Sequence, residues 1–353
     1  ATWADLRETK TIQEAVIAGG GIGAVFQSAN DMQTRYETEL QMFRDGTELG
    51  CQVLFSGGTG AEGDGGVGRW SEFFEQQNEG GKRLASICHT RPSGAFFGLA
   101  QLSPFTRNSK AWKDLMALPS IEDRVNALRN ETTRAKLIAE GIEAGDMKNL
   151  AHMLHPFGID SKPNLDFARQ QSLLQLAEAE GKDPVEVYVE RLLASEGREF
   201  VNFWMFGGNL DNQWKYMQLP HVVPMLGDAG AHVGFFTDTD SPTVLLSELT
   251  REQGVYSLPE AVHRITGKSA AIIGLKERGE LREGWHADIN VIDYENLSTC
   301  HPEYVNDFPH GGGRFVVKGK GYDATIVGGK VIIKNGKHTG HRPGRVIREF
   351  VRG

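Results

Sequence analysis

Short apolar runs alternate with amphipathic segments over the first ninety residues. The predicted helices are 6–18, 36–47 and 70–78, and the apolar runs that follow them are 23–28, 51–55 and 83–89. Short apolar runs between helices are typical of parallel strands, which are buried on both faces. The pattern therefore predicts successive βα units with a parallel sheet, and an α/β fold class.

The middle of the chain is predominantly helical in its periodicity. We predict helices at 121–128, 132–142, 167–180 and 184–195. The whole stretch 106–197 is too long to be a loop between two barrel units, so we interpret it as a helical insertion such as a lid. Two strand-like runs follow, at 199–204 and 221–226, and the second ends directly on Gly227 and Asp228.

The last part of the chain changes to a β pattern after one more helix. Ser257 and Glu260 fit a capping box, and the predicted buried stripe of this helix is Leu258, Ala261, Val262 and Ile265, with Gly267 after it. Beyond Leu275, run 288–293 is strand-like.

Two tight turns are predicted near the end. Gly328-Gly329 separates the runs 325–327 and 331–333, and Asn335-Gly336 offers a second turn. We expect a barrel portion at 1–275 and a small antiparallel sheet or β-sandwich at 276–353.

Composition and charge narrow the classes of function. The 353 residues carry a formal net charge of −8, which argues against a basic nucleic-acid surface. No apolar run is long enough to cross a membrane, and residues 1–10 show no signal-peptide pattern. The three cysteines are far apart in sequence, so a disulfide framework is not indicated and a cytoplasmic location is expected.

A glycine-rich stretch at 57–68 is a weak candidate for a phosphate-binding loop. It lacks the Gly-Lys-Ser/Thr ending that a phosphate cradle needs. We interpret it as a mobile loop over a pocket or an interface.

Several segments together carry a resemblance to a known family. They are Gly227-Asp228-Ala229-Gly230-Ala231-His232 with the two residues after it, 277–284, 287–293, 324–331, 339–345, and Arg91-Pro92 with 96–99. These segments resemble amidohydrolases of the N-acyl-D-amino-acid deacylase (D-aminoacylase) group, and the chain looks like the C-terminal portion of such a protein.

The resemblance implies a fold, a reaction and a cofactor. The fold would be part of a (β/α)8 TIM-like barrel followed by a β-sandwich, and the reaction hydrolysis of a C–N bond in a small-molecule amide, commonly an N-acyl D-amino acid. Members hold zinc through histidines of early and middle barrel strands, and use the aspartate after the last strand, here Asp228, as proton shuttle. Such a metal polarises the amide and acidifies its water, whose proton the carboxylate passes to the departing amine.

The chain departs from that pattern at the metal site. It has no His-x-His pair on a first strand, and two of its strands end in 26–28 and 54–56 without histidine. A mononuclear zinc site needs about three protein ligands. Zinc is therefore expected from the resemblance, while its ligands are largely absent from this sequence; His89 is the candidate ligand, with Cys88 and His232 also within reach of strand ends.

Each candidate site residue also has a structural interpretation. Asp228 is the predicted catalytic residue, or a helix cap. Arg91 either binds a substrate carboxylate or ties down the insertion, and His232 is a substrate contact or a structural histidine. The residues interpreted as structural or solvated are His152 and His155 (a surface pair), His338, His341, and the turn residues Asp238 and Asp240.

Strand count sets the expectation about assembly. Four or five parallel-type strands are recognisable, and a closed barrel needs eight. An open half barrel exposes strand edges, so we expect a second chain to supply the N-terminal barrel half, or a homo-oligomer. The alternatives are a fragment of a longer protein, an enzyme whose metal ligands all lie on another chain, and a catalytically inactive subunit that scaffolds a partner; metal content and an Asp228→Asn change would distinguish them.

Overall fold

The structure is a computed structural model, and its description covers most of the chain. The described residues are 4–30, 32, 34–60, 63–159, 163–167, 169–205, 207, 209–224, 227, 229–348 and 350. Asp228 lies outside the described residues.

The first part of the chain alternates helices with strands, as the sequence predicts. In chain order the elements are α1 (Leu6–Gly20), β1 (Val25–Ser28), α2 (Tyr36–Glu48), β2 (Gln52–Ser56), α3 (Val67–Asn78), a 3₁₀ turn (Glu79–Gly81) and β3 (Arg83–Cys88). The Asp5 side chain begins α1 by accepting a hydrogen bond of 2.7 Å from the backbone N–H of Glu8. Gly21, at φ 78°, follows its last turn.

The next part contains the predicted helical insertion together with a small sheet that the sequence does not predict. Its elements are β4 (Phe96–Phe97), α4 (Lys110–Met116), α5 (Ile121–Arg129), α6 (Glu131–Ala144), α7 (Asp146–Leu150), a 3₁₀ turn (Ala151–Met153), β5 (Leu154–Pro156), α8 (Leu173–Glu180), α9 (Pro184–Ala194) and β6 (Val201–Phe203). Strands β4, β6 and β5 pair antiparallel in that order.

Run 199–204 contains a strand, as predicted, and that strand pairs antiparallel with β4 and β5 and is not part of the parallel sheet. A short apolar run specifies burial on both faces without specifying the direction of its neighbours. Here Val201 packs into the core of the insertion, whereas Phe200 and Trp204 belong to a second core on the opposite face of the small sheet.

The chain then returns to the parallel sheet. The elements are α10 (Leu210–Gln218), β7 (Val222–Pro224), a 3₁₀ turn (Asp238–Asp240), α11 (Ser241–Val244), a π-helical segment (Leu245–Glu252), α12 (Leu258–Ile265) and α13 (Gly267–Ile273). Within the described residues, no helix combines the length and hydrophobicity needed to cross a membrane.

Helix α12 shows how a buried polar group replaces part of the predicted apolar stripe. Leu258 and Val262 are 38% and 41% exposed, while Arg264 is buried with Ala261. The Arg264 guanidinium donates to backbone carbonyls at the end of α10, including those of Met217 and Gln218. Orphan carbonyls at a helix end need donors, so an arginine occupies the inner face of this helix.

The N-terminus of α12 is only partly as predicted. Ser257 caps the helix by accepting from the backbone N–H of Glu260, but the Glu260 carboxylate bonds Arg264 at 2.6 Å. Gly267 begins α13 directly after α12.

The last part is β-rich, as predicted. Its elements are β8 (Ile289–Ile292), β9 (Ser298–Thr299), β10 (Glu303–Val305), a 3₁₀ turn (Pro309–Gly311), β11 (Arg314–Val316), β12 (Gly319–Lys320), β13 (Tyr322–Val327), β14 (Lys330–Lys334) and β15 (Lys337–His338). An antiparallel sheet has the order β15-β14-β13-β8, and β10-β11 and β12-β9 form two-stranded pairs.

Both predicted hairpin turns are confirmed. Gly328 and Gly329 have φ values of 53° and 74°, and Asn335 and Gly336 have 49° and 73°. Positive φ at both central positions is the requirement of the tight primed turn that matches strand twist.

The principal sheet is parallel and has the order β1-β2-β3-β7. Its core side chains include Phe55, which stacks on Phe43 with ring centroids 4.4 Å apart. In the part of the chain that the structure describes, β1 pairs only with β2 and β7 only with β3. The sheet is accordingly open among these strands, and the described residues form no closed barrel.

Candidate functional site

Two loops meet at the carboxyl ends of β3 and β7. These strands are neighbours, with Cys88 opposite Pro224, and the described residues that follow them in sequence, from His89 and from Ala229, are joined by contacts with Asp238. Carboxyl ends of parallel strands are the usual place for functional groups in α/β folds. The predicted catalytic residue Asp228 falls in the second loop, between the described residues Gly227 and Ala229.

A set of buried polar contacts joins these two loops, and we call it the strand-end clamp. Its members are residues 89–93 after β3 and residues 237–241 after β7. The hydroxyls of Thr90 and Ser241 are 2.7 Å apart, and Ser93 donates its hydroxyl to Asp238. His89 Nδ1 lies 4.0 Å from Asp238 Oδ2.

Arg91 supplies the central ion pair of the strand-end clamp. Its side chain is 2% exposed, with Nε 3.0 Å from Asp240 Oδ1. One terminal nitrogen donates to the carbonyl and the hydroxyl of Thr237, at 3.0 and 3.2 Å. The guanidinium thus binds the loop after β7, whereas the sequence predicts either a substrate carboxylate or the helical insertion as its partner. Its contact with the insertion is with the Phe157 ring, whose centroid lies 5.9 Å from Arg91 Cζ.

Asp240 is the buried partner of Arg91. Burial raises the pKa of Asp240 above its ordinary value, and the adjacent Arg91 charge opposes that rise. Thr299 Oγ1 donates to the second carboxylate oxygen at 3.1 Å. Removing one partner of such a buried pair is costly because the other charge is left uncompensated.

Asp238 is a buried carboxylate beside Gly227 and Ala229, the described residues on either side of position 228. It is 3% exposed, and its Oδ1 accepts the backbone N–H of Ala229 at 2.8 Å. A Cβ placed on Gly227 would lie 2.2 Å from the Asp238 carboxyl carbon. Asp238 and Asp240 lie on a 3₁₀ turn, as predicted, and their carboxylates are in addition buried and bonded.

His232 lies in the same loop as Asp228 and has an exposed side chain. Its ring faces Phe236 with centroids 5.4 Å apart, and its carbonyl accepts the N–H of Phe235 at 2.9 Å. This exposure is compatible with either predicted role.

The glycine-rich loop after β2 lies at the same edge of the sheet and is held by its own hydrogen bonds. Asp64 accepts from the backbone N–H groups of Gly66 and Gly68 at 2.8 and 2.9 Å. These bonds lower the pKa of the Asp64 carboxyl, and Asn212 donates to carbonyls of the loop. The Asp64 carboxylate thus accepts hydrogen bonds from the backbone N–H groups of the loop, which argues against a phosphate-binding role for this loop.

The described residues of this chain do not fit a metal site by themselves. No group of three or more His, Cys, Asp or Glu side chains within the described positions is arranged to hold an ion. Burial raises the pKa of the Cys88 thiol, and its sulfur accepts a hydrogen bond of 3.0 Å from the side-chain amide of Gln213. His89 is adjacent to Asp238 without a third ligand.

Sequence reasoning missed Ser93, Asp238 and Asp240. Each acts through a partner about 60 to 150 positions away along the chain, and no local spacing reveals such a pair. The sequence offers one signal for them: Asp238 and Asp240 follow Gly227-Asp228 by about ten residues.

Comparison with known proteins places the chain in a family. Residues 95–333, about two thirds of the chain, match the model of the amidohydrolase family. The chain belongs to the amidohydrolase family.

Individual relatives agree with this assignment. A 106-residue stretch is 38% identical to N-acyl-D-aspartate deacylase of Alcaligenes xylosoxydans xylosoxydans, covering 30% of this chain and 19% of that protein.

Solved structures are similar in fold over nearly the whole chain. A D-aminoacylase mutant in complex with copper chloride has a TM-score of 0.55 at 19% identity, and the match covers 98% of this chain and 60% of that one. N-acyl-D-glutamate deacylase from Bordetella bronchiseptica, complexed with zinc and a phosphonate inhibitor, has a TM-score of 0.54 at 16% identity, again over 98% and 60%. The chain therefore spans well under two thirds of the length of these relatives.

Proposed function

We propose that this chain forms part of a hydrolase that cleaves the amide bond of an N-acyl amino acid, with Asp228 as its proton shuttle. The observation that carries the proposal is the contact of Asp238 with Ala229 and with the polar loop after β3, next to the paired carboxyl ends of β3 and β7, in a chain of the amidohydrolase family. The D-aminoacylase and deacylase names of the relatives favour N-acyl D-amino acids as substrates.

The proposed chemistry assigns one task to each nearby group. The Asp228 carboxylate takes a proton from the attacking water and delivers it to the departing amine nitrogen. His232, exposed in the same loop, is the proposed substrate contact. Arg91 fixes the loops through Asp240 and Thr237.

Metal chemistry is proposed only for the assembled protein. Zinc, as in the N-acyl-D-glutamate deacylase complex, would polarise the amide carbonyl when bound. Because the described residues here do not make such a site, we propose that its ligands come chiefly from residues other than these, with His89 as the contribution of this chain.

We further propose that strands beyond those described complete the barrel. They would pair with the outer edges of β1 and β7, and would come from a second chain, from a copy of this chain or from another part of the same polypeptide.

The test of the catalytic proposal is substitution of Asp228 in the native protein. We expect Asp228→Asn to lower kcat for N-acyl D-amino acids by at least about a hundredfold, because the amide cannot accept the water proton. Release of free amino acid from matched D and L substrates measures it. Asp323→Asn is the control, since Asp323 is exposed on β13.

Two results would contradict the proposal. Turnover by Asp228→Asn at the wild-type rate would remove the proton-shuttle role. Absence of amide hydrolysis in the native protein, with no bound metal, would favour the non-catalytic scaffold subunit.

A further inference from the structure

The peptide on either side of Asp228 is in contact with one buried carboxylate. Asp238 Oδ1 accepts the N–H of Ala229 at 2.8 Å, and the same carboxylate occupies the space that a side chain on Gly227 would need. Gly227 has φ 95°, a conformation that residues with a Cβ rarely adopt. The two described residues that flank position 228, Gly227 and Ala229, are therefore both fitted to the Asp238 side chain.

The other oxygen of Asp238 is bonded to the loop after β3. Ser93 donates its hydroxyl to Oδ2, and His89 Nδ1 is 4.0 Å from the same atom. One side chain thus joins the loop that carries Asp228 to the loop that carries the candidate ligand His89. The neighbouring contacts of the strand-end clamp, Thr90 with Ser241 and Arg91 with Asp240, leave the 237–241 segment little freedom to move.

We propose that Asp238 is a positioning residue for the reaction, holding the Gly227–Ala229 turn and His89 in fixed relation to each other. This inference rests on the proposed function, because the residue positioned is the proposed proton shuttle. The chemistry requires it: proton transfer depends on placement of the carboxylate to within a fraction of an ångström, and a misplacement of about 1 Å costs on the order of a hundredfold in rate.

A carboxylate suits this task better than other side chains. It offers two acceptor oxygens in one plane, so an amide N–H from one loop and a hydroxyl from the other are both satisfied. Asparagine keeps one acceptor and replaces the other with a donor, whereas alanine removes both. The two substitutions should therefore differ in degree.

The first experiment measures amide hydrogen exchange in the chain itself, without any activity. In Asp238→Ala we expect exchange in peptides covering 227–236 to accelerate by about tenfold or more, with peptides of the insertion helices α4 to α9 unchanged. Asp238→Asn should show a smaller acceleration. Thr239→Ala is the matched control, because Thr239 lies on the same 3₁₀ turn with an exposed side chain.

The second experiment measures kinetics of the native protein with an N-acyl D-amino acid. We expect Asp238→Ala to lower kcat, calculated per folded molecule with the folded fraction measured by circular dichroism, by about ten- to a hundredfold, with KM within about twofold of wild type. A purely structural loss would lower the folded fraction and leave this corrected kcat unchanged. If Asp238→Ala does not fold, Ser93→Ala replaces it; that variant keeps the Ala229 bond, and should give a smaller fall in kcat.

The outcomes separate this inference from the function on which it rests. Unchanged exchange at 227–236 overturns the inference, and so does faster exchange with unchanged kcat. If the wild-type protein hydrolyses no amide, the proposed function fails while the exchange result still shows whether Asp238 holds the turn. Faster exchange together with a selective fall in kcat supports both.

Discussion

His155 occupies a buried stack at the face of the small sheet that points away from the insertion core. Its ring lies on Trp204 with centroids 3.6 Å apart and planes 10° from parallel. In the cross-strand register it faces Asn202. Burial lowers the pKa of His155 to about 4, so its imidazole is neutral at physiological pH.

This pKa has a direct consequence for stability in acid. The unfolded chain binds a proton at His155 near pH 6.5, whereas the folded chain does so only near pH 4. Between these values the unfolded state holds more protons, so the free energy of unfolding falls as the pH falls through this window. The contribution is complete above about pH 6.5.

We predict that His155→Phe removes this acid sensitivity. Wild type should lose about 2 kcal/mol more free energy of unfolding than the variant between pH 7 and pH 5, because one pKa unit corresponds to about 1.4 kcal/mol. Urea unfolding at both pH values measures the difference. His338→Phe, at an exposed position on β15, is the control; equal pH dependence of wild type and His155→Phe would contradict the prediction.

The sequence could place His89 and Arg91 at a strand end, but not describe their surroundings. Strand-end position follows from local periodicity, which is why the loop after β3 is where it was expected. The clamp around it depends on pairs such as Ser93 with Asp238, which meet only after β3 and β7 have become neighbours. His155 was misjudged for the same reason: the prediction of a surface pair came from helical periodicity, and the residue lies in β5, under Trp204.

At the scale of elements, the helices of the insertion pack through small residues. Gly141 on α6 faces Val185 on α9, and a Cβ there would lie 2.8 Å from the Val185 side chain and 3.3 Å from Trp112 Nε1. The close approach of α6 to α9 therefore depends on the absence of a side chain.

We predict that Gly141→Ala destabilises the protein although alanine is the better helix former. Overpacking of a buried contact costs about 1–3 kcal/mol, which exceeds the gain of about 1 kcal/mol from helix propensity. Gly19→Ala on α1 is the matched control, since its Cβ would point into open space, and it should stabilise. Thermal unfolding of both variants measures this; a stabilised Gly141→Ala would show that α6 and α9 are not in close contact.

Elements with local determinants were predictable, and those with distant ones were not. The hairpin at Gly328 and Gly329 is specified by two adjacent residues, and the helix at α1 by its cap and periodicity. The direction of β6 relative to its neighbours is specified by β4 and β5, which lie more than forty positions away along the chain. The residues near β6 therefore do not predict it.

At the scale of the whole molecule, the parallel sheet has two outer strands, β1 and β7, at which further strands can pair. Within the described chain its outer strands have one neighbour each, and Ile22 and Val25 at the β1 side are 66% and 37% exposed. Exposed strand edges of this kind associate readily.

We predict that the native protein is larger than the 38.9 kDa of this chain, through additional strands at these edges. Val25→Lys should weaken that association or lower its yield, because a charge at the edge opposes pairing. Leu281→Lys is the control, as it is equally apolar, 78% exposed and outside the sheet. Native mass spectrometry measures both; a well-folded monomer of this chain alone would contradict the prediction.

The pairing of β4 with β6 has a further consequence for how such a protein can diversify. Phe97 lies opposite Val201, so the chain enters and leaves the helical insertion at two adjacent points. The segment of roughly a hundred residues between β4 and β6 can therefore become longer or shorter, or be replaced as a unit, without changing the spacing between β3 and β7. A different segment can be inserted between β4 and β6 while the strand-end residues keep their positions.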